Sequence, residues 1–138
     1  MTVIEGTLED IPQITSWWDG IDSLSKPPDP RREVPEWRPP LGSVLIGKQA
    51  GNVVAGAAVA FDGHQGWIYA VWVEPEVRQQ GLGRLIVSEA EAWLLKRGAE
   101  TVQLQIRYSN LAVLRFFEKL GYRFQDIVVL GKSLRTEQ

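Results

Sequence analysis

One passage in the middle of the sequence constrains the fold more than any other. Trp67-Ile68-Tyr69-Ala70-Val71-Trp72-Val73 is apolar throughout, and Pro75 stops it. Arg78-Gln79-Gln80-Gly81-Leu82-Gly83 then leads into a run where Leu82, Leu85, Ile86, Ala90, Trp93 and Leu94 recur at helical spacing, up to Gly98. An unbroken apolar run of this length reads as a central strand covered on both faces. The periodic run reads as an amphipathic helix closed by its glycine. Val102, Leu104 and Ile106 next alternate with Gln103, Gln105 and Arg107, the pattern of a strand with one buried face. A right-handed crossover makes the two strands of this unit parallel.

The flanking sequence fills in the architecture. Thr2 to Thr7 reads as a short first strand. Leu8, Ile11, Ile14, Trp17 and Trp18 follow at helical spacing, with Thr7 as N-cap and Gly20 as terminator. Six of the eight prolines fall between residues 26 and 40, so that stretch is a stiff loop, either a surface connector or a flap over substrate. A strand begins at Val44, a turn falls at Gly51-Asn52, and Val53 to Phe61 is the next strand. With the turn Asp62 to Gly66 and the strand from Trp67, this makes an antiparallel meander. Asn110 is placed to cap a second helix carrying Leu111, Leu114, Phe117 and Leu120, which Gly121 ends. Tyr122 to Leu134 reads as a last strand, apolar from Ile127 to Leu130. No repeat or second domain is visible, so residues 1–138 are expected to form one domain.

Composition removes several function classes. There is no cysteine, hence no disulfide, thiolate metal site or cysteine acyl-intermediate. A lone histidine, His64, gives no basis for a zinc site, and no metal is expected. The formal charge of -2 supplies no field favouring nucleic acid or an anionic membrane. No apolar run reaches membrane-spanning length, and the N-terminus lacks the marks of a signal peptide. The expected location is the cytoplasm.

What remains is the corner between the central strand and the helix. The first turn of a helix presents unsatisfied N–H groups and the positive end of its dipole. Gly81 and Gly83 permit unusual backbone angles and close approach, while Arg78 and Arg84 add positive charge. Together these suit a pyrophosphate. The run lacks the Gly-Lys-Ser/Thr of a Walker loop and the third glycine of a dinucleotide fingerprint. A loop that merely joins strand to helix would carry similar glycines.

Arg78-x-x-Gly81-x-Gly83 resembles the Arg/Gln-x-x-Gly-x-Gly/Ala signature of the GNAT acyltransferases. Asn110 to Tyr122, an asparagine-led helix ending in Glu118-Lys119-Leu120-Gly121-Tyr122, resembles the second segment of that family. The turn Asp62 to Gly66 with Tyr69 looks like the bacterial YpeA-like subgroup. The resemblance spans residues 43 to 124. It implies an α+β, single-domain GNAT fold: a mixed, mostly antiparallel sheet, splayed after the fourth strand and flanked by helices. It also implies acetyl-CoA as cosubstrate. Pantetheine would enter the splay and pair with backbone at Val71 and Val73. The pyrophosphate would sit on N–H groups from Gln79 through Gln80, Gly81, Leu82 and Gly83 to Arg84, with Arg78 beside it. Asn110 and Phe117 would line the pantetheine side. An amine would attack the thioester directly in a ternary complex, with the Val73 N–H polarising the carbonyl.

Many family members carry a tyrosine where this chain has Phe117, and it protonates the leaving thiolate. Phe117 has no proton to give. The base is open among Tyr69, Glu74, Glu36, Asp62, a chain of waters and, less favoured, His64. The acceptor is expected to be a primary amine of a small molecule, a peptide N-terminus or a lysine. A sheet one strand short of the family would leave an open edge, which suggests a homodimer. The rival readings are a module that binds acyl-CoA without turning it over and an unrelated nucleotide-phosphate binder.

Overall fold

A computed structural model describes residues 1–7, 10, 12–14 and 42–135. The helix expected from Leu8 to Trp18 falls mostly outside these residues, and the proline-rich stretch 26–40 falls wholly outside. Residues 12–14 are helical, and Ile14 is fully buried.

The strands are β1 (Thr2–Glu5), β2 (Gly42–Gln49), β3 (Asn52–Phe61), β4 (Gly66–Val73) and β5 (Val102–Gln103). A 3₁₀ turn, Pro75–Val77, precedes helix α1 (Leu82–Lys96), and helix α2 spans Leu111–Lys119. The sheet order is β1-β2-β3-β4-β5. Every pairing is antiparallel except β4 with β5, which is parallel as the crossover rule predicts. The β2–β3 turn lies one residue earlier than expected. Gln49 pairs with Asn52, so Ala50 and Gly51, at φ 50° and 81°, form a two-residue loop. Positive φ at both positions matches the twist of the flanking strands.

Each face of the sheet carries its own core. On one side Leu45, Ala57, Val59 and Ile68 pack against Ile86, Val87, Ala90 and Leu94 of α1. On the other, Val44, Ile46, Val53, Ala58 and Ala70 enclose Ile14. A bulge in β4 decides which of its residues meets which side. Ala58 pairs with Ala70 but Val59 with Ile68, so Tyr69 is an extra residue. The bulge reverses the alternation, placing Ile68 and Val71 on the α1 side and Ala70 and Trp72 on the other.

Gly56 lies directly opposite Trp72, and a Cβ there would fall 1.6 Å from the indole. Gly56→Ala must displace that ring. Its expected cost is about 2–3 kcal/mol, a fall in Tm of roughly 6–12 °C by calorimetry. An unchanged Tm would mean that the indole has another seat.

Asp10 ties the N-terminal turn to β2. Burial alone would raise its carboxyl. The Lys48 ammonium at 2.8 Å, with the N–H and hydroxyl of Thr7 at 2.9 and 3.2 Å, outweighs burial and holds it below the ordinary range. A carboxyl lowered on folding contributes stability above its unfolded pKa of about 3.9 and loses it as pH falls through the native value. Asp10→Asn is therefore expected to cost about 1–2 kcal/mol at pH 7. Most of that difference should vanish in denaturant titrations at a pH below the native pKa. A difference independent of pH would show that the charge contributes nothing.

The C-terminal strand expected from Tyr122 to Leu134 does not form. Tyr122 seats against Phe117, but residues 123–135 are exposed and contain no strand. β5 likewise stops at Gln103, short of the Arg107 to which the alternation runs. β-branched sequence gives the capacity for a strand, and only a neighbour supplies the ladder.

Candidate active site

β4 and β5 share two rungs, Gly66 with Val102 and Trp67 with Gln103. Beyond them the strands part. Ile68 to Val73 form one wall and Leu104 to Ile106 the other, around a cavity of about 780 Å³. Val113, Phe116 and Phe117 of α2 line it, and the first turn of α1 meets it at one end.

The backbone of β4 presents polar groups to this cleft. Val71 pairs with Ala57 and Val73 with Ala55, while the Glu74 N–H donates to the Val54 carbonyl at 2.8 Å. In an antiparallel ladder, hydrogen-bonded pairs alternate with pairs whose N–H and C=O face outward. Counting back from Glu74, Val71 and Val73 are outward-facing, so their amides turn toward the cleft. The Val73 carbonyl accepts from Arg78 Nε at 3.1 Å.

The loop before α1 is held in unusual backbone. Gln79 has φ 66° and Gly81 φ 77°. A non-glycine residue in the left-handed region costs about 1–2 kcal/mol and marks a conformation imposed by its surroundings. Gly81 N-caps α1 without a side chain, so no side-chain oxygen covers the N–H groups of the first turn. That turn holds no acid and does hold Arg84, the reverse of what the helix dipole prefers on its own. An anion would resolve both oddities.

Gly83 also serves the packing of the helix. Its Cβ would lie 3.2 Å from the Phe116 ring and 3.7 Å from Val73, so it lets α1 pack closely on α2 and β4. Of residues 78–84, all but the exposed Gln80 line the cavity.

Asn110 Oδ1 accepts the Val113 N–H at 3.3 Å, capping α2 as its sequence position predicts, and the residue lines the cavity. Phe117 is buried at the cavity wall, edge-on to Phe116 and Tyr122 at 5.0 and 5.2 Å. Tyr122, the tyrosine next after Phe117, is not part of the cavity lining, and its hydroxyl is committed to Glu91. Burial, and then the Glu91 carboxylate that accepts its hydroxyl at 2.6 Å, raise the phenol and keep it protonated. Tyr108 is exposed.

Among the bases considered, Tyr69 and Glu74 line the cavity. Burial, with the Asp62 charge behind it, raises the Tyr69 phenol, which leaves even less phenolate near neutral pH than a free tyrosine has. Asp62 moves in the opposite direction. It accepts from the Gln65 N–H at 2.6 Å, the Trp67 indole at 3.1 Å and the His64 N–H at 2.8 Å, and these bonds lower its carboxyl. Asp62 and His64 sit beyond the Gly66 end of β4, roughly 23 Å or more along the strand from Val73. Glu36 lies outside the described residues. The far wall, Leu104 to Ile106, and Phe116 were not singled out from sequence. Their alternation and spacing mark a strand and a helix and carry no sign of the gap between them.

Residues 11–122 match the family described as the acetyltransferase (GNAT) family. The chain belongs to the GNAT family. Acetyltransferase SG1711 of Sodalis glossinidius is 32% identical over 134 residues, covering 94% of this chain and 93% of the relative. Two solved structures share the fold. The aminoglycoside N-acetyltransferase AAC(6')-Iy, in complex with a bisubstrate analogue of coenzyme A and acetylneamine, aligns with TM-score 0.77 at 12% identity over 96% of this chain and 97% of its own. The ribosomal-protein-S18-alanine N-acetyltransferase of Escherichia coli aligns with TM-score 0.71 at 22% identity over 87% and 76%. As a GNAT acetyltransferase the chain transfers an acetyl group from acetyl-CoA to an amine, and acetyl-CoA is its cosubstrate.

Proposed function

We propose that acetyl-CoA lies with its pantetheine in the β4/β5 cleft and its pyrophosphate on the first turn of α1. The acceptor amine then attacks the thioester directly. The observation that carries this reading is the meeting of two unsatisfied surfaces: the outward amides of Val71 and Val73, and the uncapped helix start from Gly81 to Arg84. Pantetheine carries two amides that can extend the broken ladder, and the α1 dipole favours its phosphates.

In the transfer the amine nitrogen bonds to the carbonyl carbon, and the Val73 N–H stabilises the developing oxyanion. The carbon–sulfur bond breaks, the amine loses a proton to Glu74, and coenzyme A leaves as thiolate. With a thiol pKa of about 8.5, that thiolate departs without an acid at Phe117, though more slowly. Phe117→Tyr should therefore raise kcat several-fold, short of the roughly 10²-fold or more of a fully developed acid. No change would mean that protonation of sulfur is not limiting.

The acceptor is a primary amine, and the acidic pI of about 5.4 favours cationic ones. Residues 1–138 form one acetyltransferase domain working in the cytoplasm, as a homodimer. A net charge of -2 argues against nucleic acid or an anionic membrane as partner. Among the described residues no helix is long and apolar enough to cross a membrane. Incubation with acetyl-CoA and an amine panel, following free thiol, tests the reading. Release that depends on the amine supports it. Tight coenzyme A binding without turnover on any amine would count against it.

A further inference from the structure

As the carbon–sulfur bond breaks, negative charge gathers on sulfur, and Phe117 offers that atom no hydrogen. Among the described residues that line the cavity, Tyr69 alone carries a hydroxyl. The other side-chain N–H donors there are the guanidinium groups of Arg78 and Arg84, the amides of Gln79, Gln105 and Asn110, and the Trp72 indole. All of these hold their hydrogens too tightly to release one near neutral pH.

Tyr69 is also placed for the task. It is the extra residue of the β4 bulge, falling between the rungs Ala58–Ala70 and Val59–Ile68. Bulges beside active sites re-aim a side chain. Here the ring packs against the core on the side away from α1, and the residue lines the cavity. Val71, where pantetheine is proposed to pair, lies two residues on, about 7 Å along the strand. A tyrosine side chain is long enough to cross that gap. Burial, and then the Asp62 charge, keep the phenol protonated. That condition unfits it as a base and suits it as a donor.

We propose that Tyr69 is the general acid of the transfer, donating its hydroxyl proton to the sulfur of coenzyme A. The amine nitrogen bonds to the carbonyl carbon, and Glu74 takes up the amine's proton. The electron pair of the broken carbon–sulfur bond stays on sulfur, and the Tyr69 proton moves onto it. The products are the amide, the thiol, a protonated Glu74 and a Tyr69 phenolate. Water returns the proton from Glu74 to the phenolate, which restores both groups. This role rests on the direct transfer proposed above and supplies the proton that Phe117 lacks. An ordinary phenol, at a pKa of about 10, holds its proton more tightly than a thiol at about 8.5. The proton is therefore shared in the transition state, and the gain is smaller than a stronger acid would give.

Tyr69→Phe keeps the ring and removes only the hydroxyl. It should lower kcat by about 10- to 30-fold, with the KM for acetyl-CoA and the Tm nearly unchanged. Adding Phe117→Tyr then brings a hydroxyl from α2. It should raise kcat by a larger factor in the Tyr69→Phe chain than in the wild type, because there it replaces a lost donor. A packing role for Tyr69 would produce no such coupling. Wild-type kcat in Tyr69→Phe, or the same gain from Phe117→Tyr in both backgrounds, would overturn the assignment and leave the transfer standing. A wild type that turns over no amine would overturn the transfer and this role with it. If Tyr69→Phe fails to fold, 3-fluorotyrosine placed at position 69 decides. Its more acidic phenol should raise kcat by about twofold, and an unchanged kcat would overturn the donor.

Discussion

Gly81→Asp should reduce coenzyme A affinity by about 10²-fold, the scale of one unit-charge repulsion across roughly 5 Å at an effective dielectric near 20. The substitution isolates charge from packing. A Cβ at Gly81 meets no atom within 4 Å, so the new side chain has room. The φ of 77° is left-handed backbone, which aspartate and asparagine tolerate better than other residues. Gly81→Asn is therefore the control, with nearly the same shape and no charge. Calorimetric titration should show the aspartate variant far weaker than the asparagine variant, and the gap should narrow with added salt. Equal affinities for the two would remove the pyrophosphate from this helix start.

Glu74→Gln should lower kcat by about 10²-fold while leaving coenzyme A affinity nearly unchanged, the loss expected when a general base is removed. Position sets Glu74 apart from the other described candidate bases. Glu74 follows Val73 at the end of β4, where its backbone N–H is fixed to Val54, and it lines the cavity. The Tyr69 phenol is raised away from use as a base, and the Asp62 carboxylate is occupied at the far turn. A variant with wild-type kcat would pass the proton to water or to a residue outside those described.

Most of what locates the site is legible in the sequence because it is local chemistry. Gly81, Gly98 and Gly121 stand where the chain adopts φ of 77°, 103° and 97°, conformations that glycine alone enters without cost. Asn110 caps its helix from the position that the pattern assigns. The apolar run from Trp67 to Val73 announces a covered strand, and α1 presents the face its spacing implies. The unreadable features depend on what lies opposite. The bulge at Tyr69 exists because Val59 and Ala58 pair two residues apart on β4. Gly83 matters because Phe116, 33 positions later, lies against it. The segment from Arg123 to Arg135 has the alphabet of a strand and finds no ladder partner among the described residues.

The two-rung contact between β4 and β5 sets a conflict between durability and catalysis. The reaction cavity is a seam that the sheet declines to close. Substitutions that let residues 68–73 zip onto 104–106 would add ladder bonds and raise the melting point while erasing the room for substrate. Selection for heat resistance alone should drift toward that sealed form. Variants that become hardier and inert together, without any change in the residues that touch coenzyme A, would be its signature.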